Sequence, residues 1–332
     1  MRISSPRIKQ IKPPAGIEGG KVTIEGSAFC DQESFDSHVF FGDTEARLFL
    51  ISRSRIVAQI PESPGSDSVI VSFSGKKSTA YRYNLGQRLP AEVNPVDSPL
   101  YDTEGNLYVT YSGKRDETPP VSVYRISRDG KTEPFLTNVP NATSLAMDRE
   151  GNLYISSRFE GRVYRATPKA DVTMFAKDLG VPTGLAFDSG GFLFVGDRNG
   201  RILKIAPDGG TSVFAAVPET MVAIHLAFDL DGNLLVSSPG LSSHNYIYMI
   251  DRYGKVLPLY GGFGRPQGLT VDRDGNIYVC EAKAGDSCIV RIAPSGEMTT
   301  LLSGPIMVGL ALDGQGSAAV AAQNAVYSVP LP

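Results

Sequence analysis

The chain has no tryptophan, only three cysteines and only three histidines in 332 residues. Three cysteines are too few, and odd in number, for a disulfide scaffold, and no Cys-x-x-Cys spacing exists for a zinc site. No apolar run approaches the ~18 residues of a membrane helix. Net charge is −3, from 32 basic and 35 acidic side chains. Neither a basic stripe nor a polyacidic tail is present, so no nucleic-acid partner is expected. The start, Met1-Arg2-Ile3-Ser4-Ser5-Pro6, lacks an apolar signal core. The compartment is therefore left open: cytoplasmic by default, cell-surface or secreted if a leader has been removed.

Glycine and proline are plentiful instead, at 35 and 23 residues. Together they well exceed the ~12% of average usage. With 42% hydrophobic residues and no long helical pattern, the chain reads as a globular all-β protein of short strands and many turns.

From residue 97 onward one unit recurs. An apolar strand ends in Asp, a two-residue turn and Gly follow, and a second apolar strand begins. The turn aspartates are Asp102, Asp148, Asp188, Asp229, Asp272 and Asp313, with steps of 46, 40, 41, 43 and 41 residues. A period near 40 with four strand signals per unit is the mark of a propeller blade. Asp-x-x-Gly reads as a turn device: Asp bonds its own downstream backbone, and Gly takes the positive φ of a tight hairpin. It lacks the further oxygen ligands of a calcium loop.

The sixth unit stops after its third strand, Ala325 to Val329. An open ring would expose strand edges. The stretch Gln87–Val93, within 86–94, is therefore expected to supply the missing outer strand. Residues 1–85 lack the repeat and read as a small β-sandwich, followed by a six-bladed propeller over 86–332. Cys280 and Cys288 flank a seven-residue loop between two expected strands. They are either buried thiols or partners across a hairpin.

Residues 8–85 resemble an IPT/TIG immunoglobulin-like domain. The resemblance rests on Ile11-x-Pro13-x-x-Gly16, then Gly19-Gly20-x-Val22-Thr23-Ile24-x-Gly26-x-x-Phe29, Phe41-Gly42 and Pro61. Residues 97–332 resemble the NHL and gluconolactonase-like six-bladed propellers. That resemblance implies a ligand site at the central channel, on the face opposite the Asp-x-x-Gly hairpins. Five residues before each turn Asp this face carries Asp97, Thr143, Thr183, Ile224, Gln267 and Val308. One residue later come Ser98, Ser144, Gly184, His225, Gly268 and Gly309. Loops after the second strands add Arg158, Asp197, Arg198, His244, Glu281 and Asn324.

Gluconolactonase-like enzymes hold a divalent cation with a first-blade carboxylate, an Asn and an Asp. Asp97 matches the first position, with Asp where Glu is usual. Thr183 and Gln267 stand where Asn and Asp belong. A hard cation wants several oxygens with net negative charge, and metal-assisted hydrolysis needs that cation. The expected reading is thus a non-catalytic binding or scaffold protein that presents its channel face to a small ligand, a glycan or a protein. Ser144, Arg158, Thr183, Asp197, Arg198, His225, Gln267 and Glu281 are its candidate binding residues. The alternative is a divergent lactonase, with Asp97 on calcium, manganese or zinc and Glu281, Asp197 or His225 as auxiliaries.

Overall fold

A computed structural model describes residues 4–31, 34, 36–90, 98–111, 119–220, 222–283, 286–322 and 325–332. Every regular element among them is a strand. Asp97, Asn324 and residues 91–94 of the expected closing stretch lie outside the described residues.

The N-terminal sandwich follows from period-2 alternation. In Lys21–Ser27, Val22 and Ile24 turn inward while Lys21 and Thr23 face out. This strand pairs with Arg7–Lys12 and Arg55–Gln59, and Arg47–Ile51 closes that sheet. The second sheet is centred on Ser37–Phe41 and Ser68–Phe73. Ile24, Phe29, Phe41, Ile56, Val71 and Tyr83 fill the space between. Each apolar side chain so buried contributes about 1.5–3 kcal/mol.

Six antiparallel four-stranded blades follow. Their inner strands are Leu100–Tyr101, Ala142–Met147, Pro182–Phe187, His225–Phe228, Pro266–Val271 and Met307–Leu312. The first inner strand packs against the last, so the ring is closed. Second strands such as Leu153–Ser157 and Leu193–Asp197 are buried on both faces, because each blade is sandwiched by its neighbours. Interblade aromatics repeat with them. Tyr154 meets Phe175 and Phe187 edge-on, each at 4.9 Å, and Phe194 meets Phe214 and Phe228 likewise. Such pairs add about 0.5–1.5 kcal/mol beyond their buried area.

The six hairpins are built by their aspartates. Asp148 Oδ1 accepts from the backbone N–H of Glu150 and Asn152, and the Asn152 amide donates to Oδ2. Oδ1 of Asp102, Asp188, Asp229, Asp272 and Asp313 accepts the same two backbone bonds. The glycine that follows has positive φ, as at Gly151, +80°.

Two short N-terminal segments enter the propeller. Gln87–Arg88 pairs antiparallel with Ala325–Pro330 as the outer strand of the last blade, and Leu89 N–H donates to Val326 O at 2.8 Å. Ala15–Gly16 adds in parallel to Met298–Gly304, the outer strand of blade five, and Asn84–Leu85 adds to Ala15–Gly16. Nothing in the repeat pattern marks Ala15–Gly16, and among the described residues blades one to four carry no such added strand on their outer edges. The hairpin bearing the two cysteines sets Cys280 opposite Ile289 and Cys288 opposite Glu281. The thiols thus stand on opposite faces, which rules out the bridge left open above. Burial pushes the Cys280 thiol well above its ordinary value, and Cys288 adds to the shift.

Candidate functional site: the channel mouth

The inner strands surround a cavity of about 330 Å³. Ser98, Ser144 and His225 stand on its wall, each four residues before a turn aspartate and near the start of its inner strand. In the equivalent positions of the other three blades are Gly184, Gly268 and Gly309. A Cβ on Gly184 would lie 2.4 Å from Ile224 O, and one on Gly268 would lie 2.7 Å from Gly309 Cα. Neighbouring inner strands approach too closely there for any side chain. From this ring the cavity runs toward the hairpins, past Leu145, Leu185, Leu226, Leu269 and Leu310 to Tyr101, Met147, Phe187 and Leu312, each directly before a turn aspartate. It therefore lies on the hairpin side of the ring and not on the opposite face that the resemblance implied. Tyr101 also lines the cavity; burial, with the nearby Asp313 charge, pushes its hydroxyl up to about 12, so it stays neutral at physiological pH.

Two layers of bonding hold the mouth. In the first, a second-strand hydroxyl reaches the next blade. Thr110 Oγ1 donates to Thr143 O, Ser156 Oγ to Thr183 O, and Ser237 Oγ to Gln267 O at 2.6 Å. Cys280 occupies this position in blade five, where it packs in the apolar core. Thr183 is tied further: its hydroxyl donates toward Gly196 O and Ile224 O and accepts from Ile224 N–H at 2.9 Å.

In the second layer, the next residue along braces the segment before its own inner strand. Ser157 Oγ donates to Pro140 O at 2.6 Å, and Ser238 Oγ to Pro218 O at 2.7 Å. Asp197 accepts from Val181 N–H at 2.9 Å and from Arg201 Nε at 2.8 Å and Nη2 at 2.6 Å. Glu281 accepts from Gly264 N–H at 2.6 Å and Arg265 N–H at 3.1 Å. Asp197 and Glu281 are both buried. Their carboxylates are the blade-three and blade-five forms of a structural brace that in blades two and four is a serine. One sequence distinguishes nothing between brace and ligand at these positions; the serines in the matching slots were the available signal.

The structure therefore gathers Ser144 and His225, with Ser98, at one cavity. Gln267 is buried beside it without lining it, and Thr183 is locked into the interblade bonding. Arg158 lies over the Phe159 ring at 4.7 Å, and Arg198 is exposed; neither lines the cavity. His244 is an exposed loop residue beside Ser243. Among the described residues, no group of three or more His, Cys, Asp or Glu side chains is placed to hold a metal ion. The donors present suit a divalent cation poorly. Among the described residues, Thr183 is engaged by backbone, Gln267 carries no charge, and Asp197 and Glu281 are braces; Asp97 lies outside them.

Residues 6–87 match the model of the IPT/TIG domain. A comparison with curated protein sequences finds no match. Among solved structures, an auxiliary nutrient binding protein from Bacteroides thetaiotaomicron is similar over 99% of this chain and 98% of its own, at 12% identity and TM-score 0.59. A candidate gluconolactonase covers 74% of this chain and 91% of its own, at 19% identity and TM-score 0.60. Virginiamycin B lyase from Staphylococcus aureus covers 74% and 98%, at 16% identity and TM-score 0.56. At these identities the likeness is one of fold. Residues 6–87 thus match the IPT/TIG domain, and the rest of the chain has the fold of a six-bladed propeller, as these solved structures do.

Proposed function

We propose that this is a non-catalytic binding protein that holds a small, neutral, hydroxyl-rich ligand such as a glycan end at the channel mouth. The observation that carries this reading is the character of the cavity. Hydrogen-bonding side chains at Ser98, Ser144 and His225 stand at one end of a cavity whose wall carries five leucines. Convergent polar groups on an apolar lining fix a ligand's orientation. Thr183 and Gln267 act as supports of the mouth, and Arg158 and Arg198 as rim contacts. Asp197 and Glu281 hold the loops rather than touch ligand. The likeness to a nutrient-binding protein supports a binding role.

Isothermal titration calorimetry with a panel of neutral oligosaccharides tests this. The expected result is a ligand whose affinity falls at least tenfold, about 1.4 kcal/mol, in both His225→Ala and Ser144→Ala. Binding that ignores both substitutions would sink the reading.

The second reading is a divergent metal-dependent lactonase, supported by the likeness to a candidate gluconolactonase. It would rest on Asp97 as ligand to calcium, manganese or zinc. Metal-stripped protein should then melt higher with one of these cations. At one hundred times its dissociation constant a ligand adds about 2.7 kcal/mol. The rise should vanish in Asp97→Ala, and lactone turnover should depend on the same cation.

A further inference from the structure

A second and larger cavity, about 960 Å³, lies between the sandwich and blade five. This is at the upper end of small-molecule sites, about 300–1,000 Å³. One wall is the outward face of the sandwich sheet. Its alternation sends Val22, Ile24 and Ile56 into the sandwich core and presents Lys21, Thr23, Arg55 and Val57 outward. Thr23 lies across from Val57 on one side and Lys12 on the other, so these residues share one surface. The opposite wall is the outer strand of blade five, with Met298, Thr299, Thr300 and Ser303, flanked by Cys288. The floor is fixed, because Ala15–Gly16 pairs with Leu302 and Ser303 between the two walls.

The chemistry of the lining is lopsided. Lys12, Lys21 and Arg55 line it, and no Asp or Glu does so among the described residues. Glu25 stands on the same sheet face, across from Arg55 in register and engaged by Lys12 at 3.1 Å and by Gln10. It offsets one cation and leaves the groove net positive. Facing the cations are hydroxyls of Thr23, Thr299 and Thr300, interrupted by apolar Val57, Met298 and Pro305.

We propose that this groove is a binding site for a carboxylate-bearing oligosaccharide. Lysine and arginine would take the carboxylates, arginine in bidentate fashion. The threonines would take sugar hydroxyls, and Met298, Val57 and Pro305 would pack on the sugar's C–H faces. A bare small anion would leave most of the cavity and all of its apolar wall unused. The site is separate from the channel mouth, so either can exist without the other.

Cys288 supplies a reporter, since Cys30 and Cys280 are buried and Cys288 lines the groove. The test is calorimetry of the full chain with trigalacturonate, a mannuronate trimer and a hyaluronan tetrasaccharide, against maltotriose and citrate. In parallel, the rate at which an iodoacetamide probe labels Cys288 is followed by mass spectrometry. At least one acidic oligosaccharide is expected to bind tenfold or more tightly than maltotriose and citrate. Binding should weaken with added salt, and should slow labelling of Cys288 several-fold. Arg55→Glu and Lys21→Glu, both at exposed positions, should each reduce affinity at least tenfold with an unchanged melting curve. Arg55→Lys should recover part of it. Failure of all three acidic probes overturns the proposal, as does equal binding of maltotriose. Equal binding of citrate reduces the groove to an anion site and overturns the saccharide assignment. Loss of binding in His225→Ala with retention in Arg55→Glu would put the ligand in the channel instead.

Discussion

Tyr327, in the last blade, donates its hydroxyl to Glu18 Oε1 of the sandwich at 2.5 Å, across 309 residues of sequence. Arg88 of the closing strand lies 3.7 Å from the same Glu18 oxygen. Burial and the Glu18 carboxylate together raise the Tyr327 hydroxyl far above its ordinary value. Ile17 N–H donates to Ser303 O at 3.0 Å. The sandwich is therefore joined to blades five and six by strand pairing and by side chains. The groove between them has walls fixed relative to each other, which lowers the ordering cost of a ligand.

Loss of this contact should be measurable. A hydrogen bond to a charged acceptor contributes about 1.5–3 kcal/mol, less here because Glu18 retains some exposure. Tyr327→Phe and Glu18→Ala, which leaves no acceptor for the hydroxyl, should each destabilise by about 1 kcal/mol or more. The double variant should fall short of the sum, because both changes remove the same bond. Urea unfolding of the four proteins measures the coupling; strict additivity would show that the bond contributes nothing.

Asp197 and Arg201 make the second test. Asp197 is fully buried and Arg201 only partly so. Arg201→Ala leaves the carboxylate without its cation and should cost on the order of 2–4 kcal/mol, discounted for the exposed end of the pair. Asp197→Ser restores the brace that blades two and four use. It should be milder than Asp197→Ala, which removes the acceptor for Val181 N–H altogether. Thermal melts rank the three; an Asp197→Ala protein as stable as the natural one would refute the brace.

The propeller was legible because turn chemistry is local. Asp148 bonds residues two and four positions on, so its hairpin is written in five consecutive letters. The sandwich was legible through alternation, as in Val22 and Ile24. The site was less so. Glycine at 184 and 268 is set by backbone approach from the next blade, a distance no local pattern encodes. Asp197 and Glu281 carry the residue type of ligands and do the work of serines. Ala15–Gly16 is a two-residue strand whose partner lies nearly the whole chain away. That pairing sets the floor of the groove.

His38 offers a pH test within the sandwich. The Glu45 carboxylate, at 2.6 Å from Nδ1, raises its pKa above 6.5; burial opposes the shift slightly, and Asp36 at 3.1 Å adds to it. The folded state therefore binds this proton more tightly than the unfolded chain does. The contribution to stability is full below pH 6.5 and disappears as pH rises through the folded value. NMR titration should place the His38 midpoint above 6.5, and Glu45→Gln should bring it down. An unchanged midpoint in Glu45→Gln would remove Glu45 as the cause.

The ring closure isolates one backbone bond. Leu89 N–H donates to Val326 O, and the Leu89 side chain packs on the core between blades six and one. Leu89→Ala removes the packing and keeps the donor. Leu89→Pro removes both, and its ring has no N–H to offer the ladder. The alanine variant should lose about 1–2 kcal/mol, because the side chain is only partly buried. The proline variant should lose at least a further 1 kcal/mol and unfold over a broader transition, as the last blade frays before the rest. Differential scanning calorimetry resolves the two. Matching melts would mean that the closing strand holds by its side chain alone, and that the backbone pairing of Gln87–Arg88 with the last blade adds little to the ring.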